Sequence, residues 1–212
     1  RGNPVASRLV KEADVILALG TRLGFNSTFY SYDNLNKKAK IIQVELENKM
    51  LGRYFKITVG ICGDASTVTN QIYNEIKKEK LSFSIKDWTN RYLNERSRYL
   101  GKRDELKDIK SFPIRPAGLF KSLRNVLPKN SAITLDAGTL CLQATDALEY
   151  YNPPSLFTPL DFGLVGFSFA CGLGVKVAKP KRTVVSLMGD GGFGMTVSEL
   201  STAVEYGINT TT

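Results

Sequence analysis

Histidine is absent from this chain of 212 residues, and cysteine is scarce, with three in all. Without histidine the chain cannot itself supply a Ser-His-Asp triad, a Cys-His pair or a histidine metal site. Cys62, Cys141 and Cys171 are far apart, odd in number and lack CxxC spacing. That argues against a disulfide framework and a structural zinc, and for small apolar side chains in a reducing, cytoplasmic setting. No run of 18 apolar residues occurs, so no transmembrane helix and no membrane partner are expected, and nothing reads as a signal peptide. The chain opens on Arg1 rather than methionine and stops at Thr212 as an apolar stretch begins, so an internal piece of a longer protein is expected.

What is present is ordinary globular composition: 42% apolar residues, enough for a core, and 23% charged. The net charge of +9 raises nucleic acid as a partner. Its distribution argues the other way. Residues 77–129 hold 15 basic and 6 acidic side chains, so the whole excess lies in one segment of helical character. Acids are interleaved there, as in Lys102-Arg103-Asp104-Glu105, and a solvated helical face explains the pattern without a nucleic-acid partner.

Short β-branched apolar runs mark strands at Asp14–Leu19, Lys40–Glu45 and Ile57–Ile61, with helical patterns at Pro4–Glu12 and Ala65–Lys78. Such alternation predicts a parallel sheet in an α/β layer. Leu81–Phe112 is charged, lacks strand signals and carries the one tryptophan, Trp88; it reads as a linker containing a helix, with Pro113 and Pro116 marking the next start. A second alternation follows. It has helices at Pro116–Val126, Thr139–Tyr150, Gly166–Ala178 and Val197–Tyr206, strands at Ala132–Leu135 and Thr183–Met188, and a strand beginning at Ile208–Thr212. The organisation is therefore residues 1–80, a linker at 81–112, and residues 113–212.

The sharpest local signal is Gly189-Asp190-Gly191-Gly192-Phe193, between the strand TVVSLM and a helix that Thr196-Val197-Ser198-Glu199 would open as a capping box. Asp190 is thus placed at the carboxyl end of a parallel strand, where open α/β sheets put ligands. The flanking glycines let backbone N–H groups approach a phosphate. An aspartate cannot hold phosphate directly, but it can through Mg²⁺, which takes hard oxygen ligands from carboxylates and phosphates together. A plain turn is the competing reading. Asp136-Ala137-Gly138-Thr139 and Phe162-Gly163-Leu164-Val165-Gly166 are two further Gly-bearing helix starts. Each alone fits a simple turn; together with the first they point to one ligand crevice.

The run GDGGFGMTVSELSTAVEYGIN resembles the thiamine diphosphate motif of the acetolactate-synthase-like superfamily. DFGLVGFSFACGLGVKVA is similar to the segment that holds the aminopyrimidine ring, and ADVILALGTRLG, AKIIQVELENKMLG and VGICGDA are similar to the middle domain. Within the superfamily, NKMLG…VGICGDA and GTLC…PPSLFTPLDFG look most like sulfoacetaldehyde acetyltransferase. The resemblance implies that residues 1–80 end the middle domain and 113–212 begin the diphosphate-binding domain. It makes Asp190 the first side-chain Mg²⁺ ligand. Gly189, Gly191 and Gly192 would line the diphosphate site, the last two offering backbone N–H. Gly138, Thr139 and Leu140 would cover the diphosphate from another loop. Gly163 and Val165 would contact the aminopyrimidine, with Val165, where many relatives carry methionine, wedged between the cofactor rings.

The resemblance also implies that the cofactor carries the chemistry, making or breaking a bond next to a carbonyl. The activating glutamate and the Asn that closes the motif would lie outside this chain, so the chain alone is expected to be inactive. The resemblance further implies a homodimer or homotetramer acting on a small molecule. Acetolactate synthase, joining two 2-oxo acids, is the alternative within the superfamily. From another class, Gly20-Thr21-Arg22 followed by Glu45 can mimic an NAD(P) fold, but GTRLG is not GxGxxG. FAD, which some relatives bind in the middle domain, is not expected here.

Overall fold

The computed structural model describes residues 3–105 and 112–212. The chain divides between Tyr99 and Leu100 into two compact units, each an α/β layer around a parallel sheet.

The first unit contains α1 (Pro4–Glu12), β1 (Val15–Leu19), the short α2 (Phe25–Thr28), β2 (Lys40–Glu45), β3 (Val59–Cys62), α3 (Ala65–Lys78) and most of α4 (Lys86–Glu105). Local chemistry fixes the helix starts. Asn3 accepts the Val5 N–H at 2.9 Å ahead of Pro4, whose ring presets the first helical φ. Asp64 accepts the Thr67 N–H at 2.8 Å at the head of α3. The strands lie in the order β1-β2-β3, all parallel, with Leu17 opposite Ile42 and Val44 opposite Ile61. Ala18, Leu23, Leu35, Ile41 and Phe55 form the core. β3 starts two residues later than its apolar run, because Ile57 packs against that core instead of joining the ladder. The helix of the charged segment is present as α4. The rest of that segment's expectation, at 106–111, lies outside the described residues.

The second unit contains α5 (Pro116–Val126), β4 (Ala132–Leu135), α6 (Thr139–Ala147), β5 (Leu156–Phe157), α7 (Phe167–Ala178), β6 (Val184–Leu187), α8 (Asp190–Thr196) and α9 (Glu199–Glu205). The sheet order is β5-β4-β6, all parallel, and Thr211 bridges Val185 in the same sense, beginning a further strand beside β6. Phe120, Ile133, Leu135, Cys141, Ala144 and Leu148 make its core. α6 stops at Ala147, short of the expected Tyr150, because Leu148 turns extended (φ −84°, ψ 145°) and is buried in that core.

The capping box at Thr196–Glu199 is not formed. Thr196, whose hydroxyl the box would use, is instead the last residue of α8, and its buried Oγ1 makes no hydrogen bond among the described residues; Val197 and Ser198 after it are helical in backbone (φ −60° and −56°, ψ −27° for both). The helical path begins instead at Asp190, after the extended Gly189. The Glu199 carboxylate accepts from the Thr202 hydroxyl at 2.9 Å rather than reaching back to a cap.

A candidate cofactor crevice at the carboxyl ends of β4 and β6

From β4 the chain passes through α6 to β5 on one side, then through α7 to β6 on the other. Strand order reverses at β4, so its carboxyl end is the switch point where an open α/β sheet leaves a crevice for ligand.

One side chain organises that point. Asp136, the residue after β4, is 2% exposed. Its Oδ2 accepts the Gly166 N–H at 3.0 Å; its Oδ1 accepts those of Phe167 at 2.8 Å and Ser168 at 3.3 Å. These N–H groups open α7, and a carboxylate is the natural partner for donors left over at a helix start. α8 closes on the same group: a Cβ built on Gly192 would stand 1.9 Å from Asp136 Oδ2, so only glycine fits. The third side is Gly166, left-handed at φ +89°, where a Cβ would meet Met195 Cβ at 3.2 Å and Thr196 Cγ2 at 3.3 Å.

Beneath lies a buried hydroxyl layer. Thr134 Oγ1 is 2.8 Å from Ser168 O and 3.0 Å from the hydroxyls of both Ser168 and Ser186, and Ser168 Oγ donates to Thr134 O at 2.9 Å. α7 seats on this layer through Gly172, whose Cβ would lie 2.1 Å from Ser186 Oγ. Gly172 thus serves close approach to the sheet. Nearby, Tyr150 donates to Ala144 O at 3.3 Å, and burial raises its phenol well above the ordinary value, with Cys141 adding to the effect.

The sequence-derived candidates fall around this hub. Gly138 caps α6 in an unusual backbone (φ +110°) with no side-chain cap bond, and Thr139 and Leu140 form the first turn. Gly163 donates to Pro159 O at 2.7 Å and is left-handed at φ +73°. Val165 is 43% exposed, beside the buried Gly166. Gly189 caps α8 without a side-chain bond; Asp190 and Gly191 are exposed in its first turn. A Cβ on Gly138, Gly163, Gly189 or Gly191 would meet nothing within 4 Å, so the backbone there is open to approach. Asp136, Gly166 and Gly192 bring the three loops together. The sequence reading grouped Asp136 with its loop but gave its side chain no task. The available signal was an acid directly after a short buried strand, AITL, and two residues before a glycine.

The sequence itself is similar to that of known proteins. Residues 1–72 match the family "Thiamine pyrophosphate enzyme, central domain", and residues 136–212 match "Thiamine pyrophosphate enzyme, C-terminal TPP binding domain". Two domains of one family in the same order cover most of the chain. The chain belongs to the thiamine pyrophosphate enzymes. It is similar over its whole length to the sulfoacetaldehyde acetyltransferases of Castellaniella defragrans (33% identical, covering 38% of that protein) and Alcaligenes xylosoxydans xylosoxydans (30%, covering 39%). It is also similar, over 98% of its length, to the acetolactate synthase large subunit of Buchnera aphidicola subsp. Schizaphis graminum (30%, covering 35%). The chain thus spans between about a third and two-fifths of the length of these relatives. As a thiamine pyrophosphate enzyme it has the mixed α/β architecture with parallel sheets read from the sequence. Among the described residues no helix is long and apolar enough to cross a membrane.

Proposed function

We propose that this chain is the part of a thiamine diphosphate- and Mg²⁺-dependent acyltransferase that holds the cofactor's diphosphate and one face of its ring system. Residues 1–80 are read as the end of the middle domain, 81–112 as a linker, and 113–212 as the start of the diphosphate-binding domain. The observation that carries the reading is the joining of the three candidate loops on one buried carboxylate. The residues suit the group. Uncapped N–H groups at the starts of α6 and α8 (around Gly138, Thr139 and Leu140, and around Gly189, Gly191 and Gly192) suit a diphosphate. The exposed Asp190 carboxylate suits a magnesium ion bridging to it. Gly163 and Val165 offer backbone groups and an exposed apolar side chain to a ring.

When bound, the cofactor supplies an electron sink that lets a bond next to a carbonyl form or break. The chain's own residues would bind the diphosphate and orient the ring system, with Val165 between the rings. The nearest reading of substrate is sulfoacetaldehyde, split with phosphate into acetyl phosphate and sulfite. It is supported by the likeness to proteins of that name over the whole chain. Acetolactate synthase is the alternative, supported by a likeness of similar extent. The full-length protein is read as a homodimer or homotetramer without FAD.

Calorimetry on the full-length protein tests the site. Asp190→Asn should weaken thiamine diphosphate binding at saturating Mg²⁺ by about a hundredfold, since the carboxylate charge that bridges to the diphosphate is gone. Unchanged affinity rules out the ligand role. Parallel assays for sulfite release from sulfoacetaldehyde and acetolactate formation from pyruvate decide the substrate; acetolactate without sulfite moves the protein to the alternative.

A further inference from the structure

We infer that Asp136 is a positioning residue that fixes the loop before α7 at a set offset from the start of α8, and so matches the crevice to a ligand with two separate ends. The inference rests on the cofactor reading above and adds to it a residue that contacts no ligand.

The carboxylate accepts from three consecutive N–H groups, those of Gly166, Phe167 and Ser168. It offers acceptors only, and the loop presents donors only. An amide in its place must turn its NH₂ toward one or more of those donors, leaving a buried N–H unpaired. The other side of the same carboxylate is the wall against which Gly192 rests, and Gly166 in turn rests on Met195 and Thr196. These three contacts form a closed triangle without room for an added methyl group.

The two loops depend on the triangle unequally. The first turn of α8 has its own helical bond, Phe193 N–H to Gly189 O at 3.0 Å, and follows directly from β6. Phe162, Gly163, Leu164 and Val165 are all exposed, and the bonds that Phe162 and Gly163 give to Pro159 O tie them to their own loop, not to the sheet. The sheet reaches the end of that loop, Gly166, through Asp136, while the Thr134–Ser168 bonds hold α7 two residues further on. Losing the carboxylate therefore loosens the ring-contacting loop and leaves the diphosphate-binding turn in place.

The test compares two ligands on the full-length protein: thiamine diphosphate, which uses both ends, and inorganic pyrophosphate, which uses one, each with saturating Mg²⁺ and read by calorimetry. Asp136→Asn should weaken thiamine diphosphate binding about tenfold or more, while pyrophosphate stays within about twofold of wild type. Equal losses for the two ligands, or no loss in either, overturn the inference. Should Asp136→Asn fail to show a cooperative melt, Gly166→Ala attacks the triangle at its opposite corner. It should give the same selective loss, and a parallel loss in both affinities overturns the inference. Failure of the wild-type protein to bind thiamine diphosphate sinks the cofactor reading itself, an outcome separate from any result on the variants.

Discussion

In the first unit the loops beyond the strand ends are gathered by Gln43; in the second they are gathered by Asp136. Both side chains are 2% exposed. Gln43 donates to Thr21 O at 3.1 Å and Met50 O at 3.4 Å and accepts the Gly52 N–H at 2.9 Å. An amide has donors and acceptors, so it can join carbonyls and N–H groups alike and leave the stitched loops electrically neutral. Asp136 has acceptors only and collects only N–H groups. The same task, tying loops over the end of a parallel sheet, is met once by a neutral group and once by a charge. The charge stands in the unit where glycine backbone is left open beside it. The neutral stitch is a structural solution, whereas on the reading proposed above the charged one also borders a binding surface.

Three substitutions test this contrast, beginning with the largest effect. Gly192→Ala places a methyl group against the Asp136 carboxylate, so α8 must move away. Overpacking of this kind costs about 1–3 kcal/mol, and the displaced turn should also lose measurable thiamine diphosphate binding. Thermal melting and calorimetry check the two parts; a wild-type affinity would mean that crowding against the carboxylate does not displace the turn. Gln43→Leu should destabilise by about 1–3 kcal/mol, since it strands the Gly52 N–H and two carbonyls, yet leave thiamine diphosphate affinity unchanged. A drop in affinity there would erase the distinction between the two stitches.

The smallest effect is expected at Asp64, the exposed cap of α3, whose carboxyl is held below its ordinary pKa by the Thr67 N–H and then the Thr67 hydroxyl. A depressed folded pKa means the cap stabilises above the unfolded value and loses its effect as pH falls through the folded one. Asp64→Ala should therefore melt slightly earlier than wild type at neutral pH, and the two curves should converge in acid. Gln43→Leu, which removes no titratable group, should show no such convergence.

Much of the fold was legible because local chemistry and tertiary packing agree in most elements. Pro4, Asp64 and Pro116 stand at helix starts that any sequence reader can recognise, and α1, α3 and α5 fall on their expected residues. β2 and β4 likewise fall on theirs, each a compact β-branched run. The mismatches arise where a distant group decides. Thr196–Glu199 has the composition of a helix start, but the helical path already begins at Asp190, in a glycine-rich stretch of poor intrinsic propensity, on the wall that Asp136 provides. The short β5 was not anticipated, since two residues, Leu156 and Phe157, give no periodicity to read. In the candidate site, the loops were legible from their glycines. The hub was not, because a buried aspartate and a solvated one look alike in sequence until the donors around it are known.

The Asp136 carboxylate has one more consequence, for direction. By capping α7 it fills the positive end of that helix with the chain's own negative charge. The helix starts at Gly138 and Gly189 carry no side-chain cap. An elongated anion would find the donors of α7 already taken, and N–H groups without a side-chain cap where α6 begins and, with a cation on Asp190, where α8 begins. On the cofactor reading proposed above, that difference favours the sense in which its uncharged end lies toward Val165.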